Sequence, residues 1–334
     1  MNILKFAGVA IATLAISTSA LAQQAFTIQI DGSSTVFPLA EAVAESFQQQ
    51  TSGRVRVTVG ESGTGGGFRK FCRGETHISN ASRPISASEM ATCRAAGIQY
   101  VEIPVAFDAL TVVVHPSNPL RSITTAQLRR IWEPEAQGRI NNWRQVDPSF
   151  PDLALSLYGP GTASGTFDYF TEAVNGRSRA SRSDYTPSED DNVIVQGVAS
   201  NQGAMGYFGL AYYEENRSRL RALSVDSGNG PVEPSVANAE NGTYAPLSRP
   251  MFIYINAAAL RRPQVQQFAQ YFINNAARYA QQVDYVPLPA SAYQTYLQRA
   301  QRRQQGTAFG GRQAIGVTIA EVIARPLVVE PVQQ

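Results

Sequence analysis

Hydroxyl side chains and glycines recur together at three places in this 334-residue chain, and a fourth stretch adds hydroxyls and an arginine. "GSSTVFP" carries Ser34, Thr35 and Val36, and "GESGTGGGF" carries Ser62, Thr64 and Gly65. "NASRPIS" carries Ser82 and Arg83, and "GPGTASGTF" carries Ser164, Gly165 and Thr166. Backbone N–H groups at the start of a helix are unpaired and sit at the positive end of its dipole. Glycine lets that backbone come close to a ligand, and Ser or Thr hydroxyls add donors, a combination suited to anions. It is not a nucleotide loop, because Gly60-x4-Gly65 is followed by Gly66 and Gly67 where Lys and Ser/Thr belong. Nor is it a nucleophile elbow, since the residue two after Ser62 is Thr64. One such loop is no more than any strand-to-helix turn requires. Three hydroxyl-rich helix starts, with Ser82 and Arg83 at a further strand end, can surround one small tetrahedral anion.

The elements that would hold these loops alternate between strand and helix. "FTIQI" (Phe26–Ile30) is a strand, followed by a helix with Val36, Leu39, Ala40, Val43, Ala44 and Phe47 at helical spacing. "RVRVTV" alternates as a second strand, Phe68–Arg73 is a short helix, "HISNAS" is a third strand, and "SASEMATCRAAG" is a helix with a Ser86/Glu89 capping box. The same alternation resumes from "TTAQLRRIW" through "GLAYYEENRSRL", whereas Pro231–Pro250 is rich in Pro, Asn and Gly and reads as an extended return path. This order predicts an α/β fold with a largely parallel sheet. Two Pro-bounded apolar strands, near 109–115 and 251–256, look like paired crossings. Residues 23–114 with 251–334 would then form lobe I and residues 115–250 lobe II, with a cleft between them.

Composition narrows the function. Residues 1–22, with Lys5 before a short apolar stretch and "ALA" at Ala20–Ala22, read as a cleaved signal peptide. No later stretch approaches the ~20 apolar residues needed to span a bilayer. The formal charge is +2 and no long basic run occurs, so nothing points to nucleic acid or a membrane surface. Cys72 and Cys93 are the only cysteines, and in an oxidising compartment a pair is most simply one disulfide, contributing about 3 kcal/mol in the chain-entropy model. A metal site has too few partners, because His77 and His115 are the only histidines and a Cys-x20-Cys spacing is not a zinc signature. No cofactor is implied. A hydrolase would need a base near a nucleophile, whereas His77 sits on a strand and His115 just before Pro116 in a crossing, positions that read as structural.

"DGSSTVFPLAEAVAESF", "GTGGGFRKFCRGE", "ASRPIS", "LTVVVHPSNP", "LYGPGTASGTFDYFTEA" and "SEDDNVIVQGVASNQGAMGYFGLAYYEEN" also carry a family likeness. The chain resembles periplasmic phosphate-binding proteins of the PstS type, in the branch that includes the cyanobacterial SphX proteins. The resemblance implies a two-lobed class II binding-protein fold and a monomer. It also implies inorganic phosphate as ligand, and delivery to an inner-membrane ABC permease and its ATPase. By motif, Ser34, Thr35 and Val36, then Ser62, Thr64 and Gly65, then Ser164, Gly165 and Thr166 would face phosphate, with Ser82 and Arg83 beside them. The chain departs from the better-known pattern twice. Pro160 stands where that pattern has an arginine, and Arg83 where it has an aspartate. Arg83 could supply the missing cation, and Asp108, Asp190 or Asp191 the missing carboxylate. These departures leave open another tetrahedral oxyanion, such as sulfate, molybdate or tungstate, and more distantly a secreted phosphatase.

Overall fold

Three parallel strands build one end of the sheet. β1 (Phe26–Gly32) lies between β2 (Val55–Gly60) and β3 (Ile78–Ala81). The computed structural model describes residues 25–328, so the expected signal peptide lies outside the described residues. In β2, Val55 and Val57 are buried while Arg56 and Thr58 face solvent, as expected for an edge strand packed on one face. Helix α1 (Phe37–Gln50) buries Leu39, Ala40, Val43, Ala44 and Phe47, the stripe that a 3.6-residue period places on one side. α2 (Thr64–Cys72) and α3 (Ala87–Ala95) follow, and α3 opens with the Ser86–Glu89 capping box read from the sequence. A Cys72–Cys93 disulfide joins these two helices, with Cα atoms 4.3 Å apart.

β4 (Tyr100–Val114) is buried along its whole length. The chain then forms β5 (Ser122–Thr124), α4 (Thr125–Trp132), α5 (Trp143–Val146), β6 (Ser156–Pro160), α6 (Gly165–Asn175) and β7 (Thr186–Ser188). After these come α7 (Asp191–Ala199), β8 (Ala204–Gly209), α8 (Leu210–Glu215), β9 (Arg221–Ala222), β10 (Ser224–Asp226), β11 (Pro231–Val232) and α9 (Val236–Glu240). β12 (Ser248–Asn256) returns along β4 and leads to α10 (Pro263–Gln282), α11 (Ala290–Gln301) and α12 (Ile319–Ala324). The main sheet runs β2-β1-β3-β12-β4-β8-β6-β7, with β9 also on β4. β4 pairs with β12 over Tyr100–Ala109 and with β8 over Leu110–Val114, so one strand belongs to both halves of the sheet.

Three boundaries differ from the sequence reading. β4 starts nine residues before Ala109, because Glu102 and Asp108 interrupt the apolar run yet are buried with partners. α2 starts at Thr64, not Phe68, so Gly65–Gly67 form its first turn instead of a loop. A β-carbon on Gly67 would lie 2.5 Å from the Cα of Gly32, so glycine is what allows this turn to pack on the end of β1. The stretch 231–250 is not purely extended: it contains α9, and its last three residues already belong to β12.

Parallel strands in an α/β sheet present their carboxyl ends to ligands. Here β1, β2, β3, β6 and β7 lead at those ends into the segments preceding α1, α2, α3, α6 and α7. All four hydroxyl-rich motifs lie in those segments or the first turns that follow.

Candidate functional site

The centre of the site is Arg249. It stands directly opposite Asp108 in the β12/β4 register. Its Nε and Nη2 donate to Asp108 Oδ2 at 3.1 and 3.0 Å, and both side chains are completely buried. Nη2 also donates to Thr35 Oγ1 at 3.1 Å and Thr166 Oγ1 at 2.9 Å, and those two hydroxyls lie 3.0 Å from each other. Thr35 arrives from the turn after β1 and Thr166 from the first turn of α6, so the guanidinium ties the two halves of the sheet at one point. Nη1 is buried without a hydrogen-bond partner. Asp108 is held by its other oxygen, which accepts from the Leu210 N–H at the start of α8 (2.9 Å).

Around this centre the backbones are in close contact. Thr64 Oγ1 accepts from the Ser82 N–H at 3.1 Å and lies 3.3 Å from Ser82 Oγ. Gly165 packs on both: a β-carbon there would be 2.4 Å from Thr64 Oγ1 and 2.7 Å from Ser82 Oγ. Gly65 donates its N–H across to Ala163 O at 2.8 Å. Ser164 caps α6, its hydroxyl accepting from the Thr166 N–H at 3.1 Å. The Ser34 carbonyl accepts from the Tyr212 hydroxyl at 3.2 Å, and the Thr35 carbonyl from Tyr285. Of the residues selected from sequence, Thr35, Thr64, Gly65, Ser82, Ser164, Gly165 and Thr166 are thus brought together, with Ser34 beside them.

Ser62, Val36 and Arg83 are engaged differently. The Ser62 hydroxyl donates to Asp31, a carboxylate also bound by Lys70. The Val36 N–H faces Ser33 Oγ at 3.4 Å. Arg83, expected as the cation, is buried and committed elsewhere. Its Nε donates to Asp168 (2.8 Å), its Nη1 to Glu89 (2.8 Å) and Pro84 O (3.0 Å), and its Nη2 to Glu89 (2.8 Å). Asp168 lies on α6 and Glu89 on α3, so Arg83 joins the two sides of the cleft. Burial works against its charge, but Glu89 and Asp168 more than offset this and hold it above the ordinary arginine range. Arg182 is likewise engaged, bonded to Asp184 and to the carbonyls of Ile131 and Ile140. Sequence reasoning missed Arg249, because only strand register shows that it faces Asp108.

Carboxyl groups surround the site. Asp190 is the N-cap of α7, accepting from the Asn192 N–H. Asp191, the next residue, is 1% exposed, and its Oδ2 has no hydrogen-bond partner. Burial pushes its carboxyl up to about 8, although Arg249 and the Ser34 hydroxyl pull it down. Burial likewise pushes Glu61 up to about 7, with Asp190 and Glu41 adding to the effect. No group of three or more His, Cys, Asp or Glu among the described residues could hold a metal ion. His77 Nδ1 accepts from the Gln29 N–H and His115 Nδ1 lies 2.7 Å from Ser117 Oγ, so neither imidazole is poised over a cleft hydroxyl. A buried guanidinium, hydroxyls from both sides and helix N-termini can grip an oxyanion.

Comparison with known proteins agrees with this chemistry. The PBP superfamily domain matches residues 17–276. The protein SphX of Synechococcus elongatus is 51% identical over 305 residues, covering 91% of this chain and 90% of that protein. The phosphate-binding protein PstS of Staphylococcus saprophyticus is 37% identical over 268 residues, 79% of this chain and 81% of the other. A crystal structure of a possible phosphate binding protein from Planctomyces limnophilus superimposes with a TM-score of 0.61 at 45% identity, covering 84% of this chain and 99% of that one. Those coverages leave no large part of the fold unmatched. This chain belongs to the PBP superfamily, in the PstS-type family that includes the SphX proteins.

Proposed function

We propose that this protein binds inorganic phosphate and passes it to an ABC-type import permease in the inner membrane. Residues 1–22 direct it to the periplasm and are removed there, and it works as a monomer without catalysing a reaction. Lobe I comprises residues 23–114 with 251–334 and lobe II residues 115–250; phosphate is held between them. The observation that carries the reading is Arg249 Nη2 reaching both Thr35 and Thr166, one hydroxyl from each lobe. Phosphate enters by replacing the Thr35–Thr166 contact, so that both hydroxyls and the unpartnered Nη1 turn onto its oxygens. Amides and hydroxyls of Ser34, Val36, Thr64, Gly65, Ser82, Ser164 and Gly165 complete the shell. Ser62 and Arg83 hold the walls: Ser62 through Asp31, and Arg83 through Glu89 and Asp168. The cation therefore comes from the crossing strand, in place of Arg83. Relatives named as phosphate-binding proteins support the choice of ligand.

Equilibrium dialysis of the purified mature chain against labelled phosphate, with sulfate, arsenate and molybdate as competitors, tests the reading. Saturable phosphate binding that only arsenate displaces well is expected. Tight molybdate or sulfate binding without phosphate binding would reassign the ligand. Turnover of p-nitrophenyl phosphate above the buffer rate would overturn the absence of catalysis.

A further inference from the structure

A cavity of about 310 Å³ lies at the amino end of β3, and Gln29, Thr76, His77, Asn256 and Arg262 supply its polar lining. β3 runs from this end to Ser82 at the cleft, so the cavity is separate from the site described above. Its volume falls within the roughly 300–1,000 Å³ of clefts that take small ligands. The backbone around it is fixed. The His77 N–H donates to the Gln29 carbonyl at 2.9 Å, and the His77 carbonyl accepts from the Asn256 N–H at 3.0 Å.

The side chains lining the cavity are set as donors. The Gln29 N–H donates to His77 Nδ1 at 3.0 Å. A backbone N–H can only donate, so Nδ1 is the unprotonated nitrogen of the ring. Burial and the Arg262 charge hold the imidazole below the ordinary histidine range, so at neutral pH its single proton sits on Nε2. Nε2 lies 3.3 Å from Arg262 Nη1, and a guanidinium has no acceptor to offer. Two donors therefore face each other with nothing to receive them. Phe26 keeps both in place, its ring centroid 5.7 Å from the Arg262 guanidinium and 5.6 Å from the imidazole. Asn256 Oδ1 accepts from the N–H groups of Ala258 and Ala259, which leaves the donor end of its amide for a ligand. Thr76 is 7% exposed, and its Oγ1 is buried without a hydrogen-bond partner. Such a hydroxyl costs stability unless something meets it.

We propose that this cavity is a second anion site, which takes one small inorganic oxyanion of the phosphate or sulfate class between Arg262 and His77 Nε2–H. An oxyanion presents several acceptors at once, so it satisfies the two facing donors, the Asn256 amide and the Thr76 hydroxyl together. It also neutralises Arg262, whose guanidinium meets only Phe26 and His77, and no carboxylate, among the described residues. Arg262 is exposed, so solvent and salt screen its charge and the affinity is about millimolar. The inference does not depend on which ligand the cleft takes.

Long-range proton–nitrogen NMR of the imidazoles tests the proposal on the whole protein, because His77 and His115 are its only histidines. At about pH 7.5 His77 should be the neutral tautomer protonated on Nε2. Sodium phosphate and sodium sulfate, added at constant ionic strength, should each shift the His77 ring signals saturably and leave those of His115 in place. Arg262→Gln, a change at an exposed side chain, should weaken that response by about tenfold or more. The same variant should keep the phosphate binding of the cleft in equilibrium dialysis, which separates this site from an effect transmitted along β3. Thr76→Val should weaken the response by about threefold without lowering the melting temperature, since the hydroxyl it removes has no partner in the fold. A His77 proton on Nδ1, a shift that rises with salt without saturating, or an unchanged response in either variant would each overturn the proposal. Failure of phosphate to bind the cleft, with the His77 response intact, would overturn the phosphate reading alone.

Discussion

Two buried arginines divide the work that the sequence assigned to one. Arg249 is hydrogen-bonded to a single carboxylate and keeps Nη1 unpartnered, whereas four hydrogen bonds of Arg83 go to Glu89, Asp168 and Pro84. Removing Arg249 alone would strand Asp108 as a buried charge, so the informative variant neutralises both: Arg249→Gln with Asp108→Asn. Replacing a whole buried pair is often nearly neutral for stability, and Asn can still accept from the Leu210 N–H. Its melting temperature should therefore stay close to wild type, while phosphate binding weakens by about 2 kcal/mol or more, as for loss of a buried charge contact. Calorimetry and a thermal melt on the same sample check both. Arg83→Ala should behave in the opposite way. Leaving Asp168 and Glu89 without their partner should lower the unfolding free energy by about 3–5 kcal/mol in a urea titration. Adding Asp168→Asn should recover part of that loss.

At the level of elements, α2 is the most constrained piece. Its first turn contains three consecutive glycines, a poor helix former by propensity. Packing explains the choice, because a β-carbon on Gly67 would also lie 2.8 Å from the Asp31 carbonyl oxygen, which is backbone and cannot yield easily. Gly67→Ala should lower the melting temperature and weaken ligand binding together, since α2 carries Thr64 and Gly65. Thermal melts with and without phosphate would show whether both effects appear. The disulfide from the far end of α2 to Cys93 holds it against α3, the helix that presents Glu89 to Arg83. Reducing that bond should cost about 3 kcal/mol in urea denaturation, on chain entropy for a loop of this length.

The whole molecule joins its halves through β4, β12 and the cleft contacts. Donors come from both sides, so phosphate should draw the lobes together, and small-angle scattering should give a smaller radius of gyration at saturating phosphate. The buried carboxyl of Asp191 also has a global effect. Its folded acidity constant lies above the ordinary aspartate value of 3.8, at about 8, so folding favours the protonated form. Its contribution to stability is therefore fully present below the unfolded value and is lost as pH rises toward about 8. Ligand-free wild type should melt progressively lower from about pH 5 to about pH 8, and Asp191→Asn should flatten that decline.

Local order was readable wherever a segment's own residues fix it. The α1 stripe, the Ser86–Glu89 capping box and the Ser164 start of α6 depend on spacing within a few residues, and they are where the sequence places them. The pairing of the two cysteines followed from their number together with an oxidising compartment. By contrast, Arg249 lies 141 residues from Asp108 in sequence, and only antiparallel register across the sheet sets them face to face. The same holds for Arg83, whose partner Asp168 arrives from the other half of the chain and engages its guanidinium. The sequence alone determined that the chain alternates strand and helix and offers hydroxyls and free amides at strand ends. Tertiary structure decided which cation reaches them, because a buried charge takes its role from whichever opposite charge the fold places beside it.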